Sequence, residues 1–475
     1  MPAAARSPAD ADADATPAPI AIAIPWGVSG GSLALEWPAG WPGPEVVRPD
    51  LSGALADYPA ALDAALDAPL DAPRIESRVG PGSTVAIVVD DPSRWTPVRE
   101  ALPAVLARLA AAGVEASDVA ISVGVGRHTP VDADAMRKRV GYAVADAHAC
   151  HSPPVDDLSA YDDLGPTDDG LPVRVFRPVA RADLRVLIGS VLPHLQAGFG
   201  GGYKLIFPGT SHRSTLGAIH ARGLGAGDAG RLLGSDAADN PMRRAIRAAA
   251  AKLGPCASIS HLLGAPGEVV RVRSGHPDAV QDDLAAEARR RLRAPDPVAG
   301  TGPADLVVAG NHPWPGDPMQ SFKVLLQHRA AGRPGGVLVG FFWTDPGEID
   351  RSFPIGPMRA IAASGALGGW AIRRGLAMAD RLASAVHAPS EFLIRWAREL
   401  VVDRTVLIYA PPLHDRIGGR LGPIRVFADQ PALWKAAADA LRRVGRPVAR
   451  VFPQGGLTYC PEPDRPPGQF PSGGE

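Results

Sequence analysis

The chain has 475 residues, of which 46% are hydrophobic, with 49 basic and 50 acidic side chains. A single hydrophobic core stops growing near about 250 to 300 residues, so this length predicts two globular domains. The balanced charge leaves no overall field that would attract nucleic acid or an anionic membrane surface. The composition therefore favours a protein that acts on a small molecule, without nucleic acid or membrane partners.

Cysteine use and the chain ends indicate a compartment. The three cysteines, Cys150, Cys256 and Cys460, are far apart and odd in number, which suits neither a disulfide framework nor a zinc site. Residues 1–18 lack the basic start and apolar stretch of a secretory signal, and no stretch reaches the roughly 18 apolar residues that cross a bilayer. We therefore expect a cytoplasmic protein with a disordered tail over 1–18 and a flexible tail over 461–475.

Short β-branched runs alternate with helical patterns along the chain. A strand is predicted over 83–90, a helix over 98–112 and a strand over 119–124. Further strands are predicted over 184–188, 306–309, 336–342, 405–409 and 447–452. Such alternation is typical of mainly parallel sheets flanked by helices, so the predicted fold class is α/β.

A Pro- and Gly-rich segment over 291–303 is the clearest linker in the sequence. It predicts an N-terminal α/β domain over 19–297 and a C-terminal α/β domain over 302–445. The last strand candidate falls in 446–460, which we interpret as a segment that returns to the N-terminal domain.

Two polar clusters follow predicted strands, where functional residues gather in open α/β sheets. Asp90 and Asp91 follow the first strand, and Arg94 after them could bind a carboxylate through two hydrogen bonds. The alternative is a polar turn that caps the next helix. His128 leaves the strand 119–124 through glycines and could act as a general base near neutral pH, although a lone loop histidine is more often structural.

The segment 193–209 joins His194 to three consecutive glycines and Lys204. Glycines let the backbone approach a bound group closely while the amine reaches it. An ATP-binding Walker A loop would need Gly-Lys-Ser/Thr, whereas Tyr203 precedes Lys204 and Leu205 follows it. The pattern argues against an ATPase and leaves two alternatives, a ligand-binding lysine or a flexible glycine hinge with a solvated lysine.

Two further positions are weaker candidates. His220, sixteen residues after Lys204, could ligate nickel, copper or zinc, but a protein-only metal site needs three or four ligands, and a lone helical histidine is more often structural. Gln320 and Lys323 would share one face of a helix and could together bind a carboxylate or carbonyl oxygen. Their alternative is a first helical turn with a solvated lysine.

Taken in order, these polar residues resemble the signature of the lactate racemase family. They are Asp91, Arg94, His128, His194, Lys204, His220, Gln320 and Lys323. The core of the resemblance is the run AGFGGGYKLIFPG around Lys204, with His194 ten residues before the lysine and His220 sixteen after it. Asn240-Pro241 followed by a helix is also similar, and the match extends over most of the chain.

The resemblance implies an interdomain cleft that holds a nickel-pincer nucleotide, a Ni(II) pyridinium-3,5-bisthiocarboxylate mononucleotide. The N-terminal domain would bind this cofactor through Asp91, Arg94, Lys204 and His220. Lys204 would carry a covalent thioamide link. His220 would be the one protein ligand to nickel, because the cofactor brings carbon and two sulfurs as donors.

The activity implied is an isomerase that racemises or epimerises a 2-hydroxy acid by reversible hydride transfer. His128 and His194 would be two acid/bases for the hydroxyl proton while the C2 hydride moves to the cofactor and leaves a planar 2-oxo acid. Arg94, Gln320 and Lys323 would anchor the carboxylate and polarise the oxygen.

The side-chain pocket departs from the lactate-specific pattern. Met319 stands where lactate-specific members carry a tyrosine, and the tryptophan expected near Glu391 is replaced. A larger or more polar 2-hydroxy acid is therefore at least as compatible as lactate. The implied partners are this substrate and the proteins that build the cofactor and insert nickel.

Two other classes stay open. A non-catalytic protein could carry the nickel-pincer cofactor on Lys204 and His220 alone, but the presence of both His128 and His194 favours an enzyme. A nicotinamide-dependent 2-hydroxy acid dehydrogenase would need the G-x-G-x-x-G fingerprint and an acid about 20 residues further on, and the glycines near His128 do not complete that fingerprint.

Overall fold

The computed structural model describes residues 21–27, 30–126, 128, 130–224, 232–264, 267–297, 302–314, 318–383 and 397–462. The predicted tail over 1–18, residues 463–475 of the second tail and residues 298–301 of the predicted linker lie outside this part of the chain.

The strands are numbered in chain order. They are β1 Ala21–Trp26, β2 Gly31–Glu36, β3 Glu45–Val46, β4 Val85–Asp90, β5 Val119–Gly124, β6 Ala149–His151, β7 Tyr161–Asp163, β8 Arg174–Phe176, β9 Leu184–Ser190, β10 Pro193–His194, β11 Gly198–Phe199, β12 Cys256–Leu263, β13 Val269–Gly275, β14 Ala304–Gly310, β15 Gly332–Phe341, β16 Thr405–Tyr409, β17 Arg420–Leu421, β18 Ile424–Phe427 and β19 Ala449–Phe452.

The first sheet has the strand order β13-β12-β9-β4-β5-β6, and its neighbours are parallel except for β12 and β13. The central strands β4 and β9 are buried along their whole length, which explains their nearly continuous apolar sequences. Because β4, β5 and β9 are parallel neighbours, the loops that follow Asp90, Gly124 and Ser190 leave the same edge of the sheet.

Helices cover both faces of the first sheet. One face packs against Tyr58–Asp67, Val98–Ala111 and Ala133–Val140, and the other against Arg177–Arg181 and Pro241–Ala250. Alternate residues of β4 serve the two faces, with Val85, Ile87 and Val89 on the first and Ala86 and Val88 on the second.

The second sheet has the strand order β17-β18-β16-β15-β14-β19-β3, and all neighbours are parallel except β17 and β18. The hairpin β1–β2 and the helix Gln430–Leu441 cover one face. The helices Pro277–Leu292 and Pro318–His328 belong to one apolar core with β12 of the first sheet and β14 of the second. The packing is therefore continuous between the two sheets.

The remaining helices are short or peripheral. The α-helices are Tyr142–Ala147, Arg213–Leu224, Pro346–Ser352, Ile355–Ala363, Gly365–Ala383 and Pro411–Ile417, and the 3-10 helices are Ile75–Arg78, Ala116–Asp118, Leu158–Ala160, Gly202–Leu205 and Arg329–Ala331. None of the described helices combines the length and apolarity that crossing a membrane requires.

The predicted α/β class with mainly parallel sheets is confirmed, and the strand expected over 405–409 has the predicted bounds. The domain limits 19–297, 302–445 and 446–460 stay predictions. The strand pairing at both ends of the chain bears on them. β3 and the expected return strand β19 both pair in the second sheet. A β-branched run identifies a strand without identifying its partner, which is why the sequence did not reveal this pairing.

The C-terminal segment contacts the end of the helix Pro277–Leu292 only after β19 has ended. The amide of Tyr459 donates to the carbonyl of Leu292 at 3.2 Å, and the amide of Ala294 donates to the carbonyl of Tyr459 at 2.9 Å. The segment 446–460 thus contributes a strand to the second sheet and then contacts the end of the helix Pro277–Leu292.

Candidate active site

A cavity lies where β4, β5 and β9 end. Its lining includes all six site residues predicted in the first half of the chain, namely Asp91, Arg94, His128, His194, Lys204 and His220. Gln320 and Lys323, from the first turns of the helix Pro318–His328, connect to the same cavity through His128. The predicted residues of both halves therefore meet.

A chain of side-chain hydrogen bonds joins the two sheets across this cavity. His128 Nδ1 lies 3.0 Å from Asp91 Oδ2, His128 Nε2 lies 2.9 Å from Gln320 Nε2, and Lys323 Nζ donates to Gln320 Oε1 at 2.6 Å. An amide nitrogen can only donate, so His128 Nε2 is the acceptor and Nδ1 carries the hydrogen that is donated to Asp91. His128 therefore presents a lone pair on Nε2.

Asp91 is a buried carboxylate that orients His128. Burial alone would raise the pKa of Asp91, but the charge of His128 when that ring is protonated, the hydrogen bond from His128, the charge of Arg94 and a hydrogen bond from Ser93 lower it below its usual range. The amide of Ser93 donates to Asp91 Oδ1 at 2.8 Å. Asp91 thus keeps a negative charge beside the imidazole, which stabilises an imidazolium.

Arg139 fixes the loop that carries Asp91 and Arg94. Arg139 forms an ion pair with Asp90 and donates to the carbonyls of Arg94 and Thr96, both at 3.1 Å. Burial raises the pKa of Asp90, and the charge of Arg139 opposes that rise. Sequence reasoning missed Arg139, because a charged position on a helix carries no signal of the carbonyls that it will reach.

His194 has the opposite hydrogen-bond pattern. Its Nδ1 accepts from the backbone amides of Gln196 at 3.2 Å and Ala197 at 3.0 Å. The neutral ring then carries its hydrogen on Nε2. Burial, with the positive charges of Lys204 and Lys323 and further cations, holds the pKa of His194 well below its usual range. His194 is thus a neutral hydrogen-bond donor at Nε2.

Lys204 follows a tight glycine loop and belongs to the 3-10 helix Gly202–Leu205. Gly201 has φ of 81°, and a Cβ there would lie 3.0 Å from Gln281 Oε1 and 3.1 Å from the carbonyl of Ser190. Only glycine suits this position. Burial, then the charges of Arg94, Arg243 and Lys323, lower the pKa of Lys204 to about 7, so a large share of its amine is neutral at neutral pH.

His220 lies on the helix Arg213–Leu224, and its Nδ1 lies 2.8 Å from the carbonyl of Leu216. A carbonyl oxygen only accepts, so Nδ1 carries the hydrogen and Nε2 carries the lone pair of the neutral ring. Metal-binding histidines commonly have this arrangement, in which the second ring nitrogen is fixed by a backbone carbonyl.

Arg94 stacks on an aromatic ring from the second sheet. Its guanidinium carbon lies 4.4 Å from the ring centroid of the buried Trp314, which follows β14. Stacking uses the face of the guanidinium and leaves its edge, where the donors lie, for an anion. Sequence reasoning assigned no role to Trp314. The side chain of Met319 and residue Glu391 lie outside the described part of the chain.

The fold and the cavity define an α/β protein whose candidate active site joins the strand-end loops of one parallel sheet to a helix of a second. Residues 39–230 match the family model of the lactate racemase N-terminal domain. A 262-residue stretch, 54% of this chain, is 23% identical to the lactate racemase of Thermoanaerobacterium thermosaccharolyticum and spans 58% of that relative. The N-terminal half of the chain is therefore similar to the lactate racemase family.

Solved structures support the same fold. The lactate racemase apoprotein from T. thermosaccharolyticum matches with a TM-score of 0.74 at 19% identity, over 93% of this chain and 100% of that one. A Thermotoga maritima protein from a structural genomics programme matches with a TM-score of 0.60 at 14% identity, over 85% of this chain and 98% of that one.

Proposed function

We propose that this protein is a racemase or epimerase of a 2-hydroxy acid that works with a nickel-pincer nucleotide. The observation that carries the proposal is the hydrogen-bonded chain from Asp91 through His128 and Gln320 to Lys323, in the cavity that also contains Lys204 and His220. This arrangement combines a proton acceptor, carboxylate-binding cations and an amine that can form a covalent link.

The residues present fit the cofactor. A neutral amine is the nucleophilic form of lysine, and the pKa of Lys204 near 7 provides it. His220 has its Nδ1 fixed by a backbone carbonyl, as a ligand histidine commonly does. Within the described residues no three His, Cys, Asp or Glu side chains are grouped for a metal, so nickel at His220 would need donors from the cofactor. When bound, the nickel-pincer nucleotide supplies a reversible hydride acceptor.

The side chains of this protein handle the proton and the carboxylate. His128 Nε2 accepts the hydroxyl proton, and Asp91 stabilises the resulting imidazolium. To do so, His128 exchanges its contact with the Gln320 amide for the substrate hydroxyl. Arg94 binds the carboxylate through the edge of its stacked guanidinium, and Lys323 adds positive charge beside the oxygen that becomes the carbonyl.

His194 has a different part in this proposal from the second acid/base that the family resemblance implies. Its Nδ1 already accepts two backbone hydrogen bonds, so a proton on Nδ1 would face two other donors. We infer that His194 donates a hydrogen bond from Nε2 to the substrate oxygen and polarises it, while His128 carries the proton.

The test is expression together with the cofactor-synthesis and nickel-insertion proteins, followed by intact-protein mass and nickel analysis. We expect an adduct on Lys204 and about one nickel per chain, the stoichiometry of a single-imidazole site. Lys204→Ala should lose the adduct, whereas the matched control Lys252→Ala, at an exposed lysine, should keep it.

Loaded protein is then incubated with single enantiomers of lactate and of larger 2-hydroxy acids, and products are separated by chiral chromatography. Inversion of at least one acid supports the enzyme. Loading without inversion of any acid would favour a non-catalytic cofactor-binding protein. The absence of an adduct, under conditions that load a known relative, would overturn the proposal.

A further inference from the structure

The helix Pro241–Ala250 begins against the glycine loop that precedes Lys204. Arg243, in its first turn, is 4% exposed. Its guanidinium donates to the carbonyls of Ala197 at 3.1 Å, Gly201 at 3.1 Å and Gly200 at 2.9 Å, and also to the carbonyl of Phe199. One side chain therefore binds four carbonyls within the five residues 197–201.

The capping residue of the same helix holds the start of this loop. Asn240 Nδ2 donates to the carbonyl of Gln196 at 2.9 Å, and Asn240 Oδ1 accepts from the amide of Arg243 at 3.0 Å. The helix start and the loop are thus tied together at both ends of the segment 196–201, and Lys204 follows three residues later.

Arg243 has no carboxylate partner among the described residues. The acids whose charges act on it, Asp278 and Asp282, are both paired with Arg247 at 2.8 Å. Burying a cation without a counter-ion is costly, and burial lowers the pKa of Arg243 to about 10. Arg139, which braces the neighbouring loop, is in contrast paired with Asp90. An arginine can therefore hold a loop by its carbonyls and still be paired with a carboxylate, so the missing counter-ion of Arg243 is not explained by loop binding alone.

We propose that Arg243 is a positioning residue for Lys204: it holds the loop 197–201 by its carbonyls and keeps an unneutralised positive charge near the lysine amine. The importance of this for cofactor attachment rests on the proposed function, but the effect on the amine itself does not.

The groups that face Lys204 come from several elements. Arg94 and Asp91 follow β4, His194 belongs to β10, Arg243 lies on the helix behind the loop, and Lys323 lies on the helix of the second sheet. Among these, Arg94, Arg243 and Lys323 favour the neutral amine, and Asp91 opposes them. Arg243 is the cation of this set that also determines the loop conformation.

The experiment is competitive trace labelling of the cofactor-free full chain with acetic anhydride between pH 5 and pH 10. Peptide mass spectrometry follows acetylation of Lys204, with the exposed Lys252 and Lys435 as internal references. Wild-type Lys204 should titrate near pH 7, as its lowered pKa indicates. Arg243→Met should raise that midpoint by about one pH unit or more, since a nearby cation is removed.

Arg244→Met is the matched control, because it removes the same charge from an exposed position of the same helix without touching the loop. It should leave the Lys204 midpoint in place. Arg243→Lys keeps the charge but not the fork of donors, so it should keep the low midpoint while hydrogen–deuterium exchange of the peptide 196–205 becomes faster.

Two results would overturn the proposal. One is a wild-type Lys204 that titrates together with Lys252 and Lys435, a result that needs no variant to fold. The other is a folded Arg243→Met or Arg243→Lys variant with both the midpoint and the exchange rate of wild type. Neither readout uses turnover, so failure of the proposed racemase activity would leave this result intact.

Discussion

The two histidines of the cavity are the same residue type in opposite hydrogen-bond environments. His128 donates from Nδ1 to the carboxylate of Asp91, whereas His194 accepts on Nδ1 from two backbone amides. The first arrangement stabilises a proton on Nε2, and the second disfavours a charged ring. In the proposed function, the partner of Nδ1 is what makes His128 the base and His194 the hydrogen-bond donor.

The largest expected effect separates the two histidines directly. His128→Gln removes the proton acceptor, and we expect kcat for racemisation to fall about a thousandfold, within the range of general-base contributions. His194→Gln keeps an N–H donor at the ε position, and we expect a loss of about tenfold, the scale of one altered hydrogen bond. Both variants should keep their nickel. Equal losses in kcat would instead support the mechanism in which His128 and His194 are two equivalent acid/bases.

Asp91→Asn tests the proposed role of His128 as the base. The amide keeps the shape of the side chain but not the charge that stabilises the imidazolium, so we expect kcat to fall about a hundredfold. Ser93→Ala is the control, because Ser93 contacts Asp91 through its backbone amide and should remain near the wild-type rate. A wild-type rate in Asp91→Asn would mean that the charge of the Asp91 carboxylate does not help His128 to accept the proton.

The pH dependence of stability tests the neutrality of His194. Its folded pKa lies well below the unfolded value of about 6.5, so below that pH the unfolded chain binds a proton that the folded chain does not. Stability is therefore complete above about pH 6.5 and is lost as the pH falls towards the folded pKa.

In His194→Gln the unfolded chain should take up as much as one proton fewer. The unfolding equilibrium constant should then change by up to about tenfold less per pH unit than in wild type. Denaturant titrations between pH 7 and pH 5 measure it. The variant His312→Gln, at a buried histidine whose pKa is lowered to about 4 by burial, gives the contribution of one such residue outside the cavity. An unchanged slope in His194→Gln would mean that the folded protein protonates His194.

The smallest expected effect concerns Arg94, whose charge acts both on Asp91, the partner of His128, and on His194. The charge of Arg94 lowers the pKa of Asp91 and of His194, and Arg94 stacks on Trp314. Trp314→Leu should raise KM a few-fold with little change in kcat, because a cation–π contact contributes about 0.5 to 2 kcal/mol. A fall in kcat without a change in KM would indicate that Arg94 acts only in the transition state.

The sequence indicated which residues converge but not how they are bonded. Asp91 and His128 follow strands with strong β-branched patterns, and parallel neighbours end at one edge, so their meeting could be expected. The ring nitrogen that carries hydrogen depends on local contacts, such as the two amides at His194, which no pattern encodes. Arg139 and Arg243 went unnoticed for the same reason, since both act on backbone carbonyls.

The fold shows a similar division. The strands β4, β5 and β16 were readable because buried parallel strands are nearly continuous apolar runs. The pairing of β3 with β19 was not, because Arg450 meets Glu45 405 residues away in the chain and neither strand is longer than four residues.

The pairing of β3 with β19 has a consequence for biosynthesis. Glu45 leaves the ribosome early, but Arg450, its ion-pair partner at 2.8 Å, is made near the end of translation. The first sheet, from β4 to β13, is synthesised in one uninterrupted stretch and can fold while the second still lacks an inner strand. A gene cut within 298–301 would therefore not yield two self-sufficient halves, because the downstream product would lack the hairpin β1–β2 and the edge strand β3.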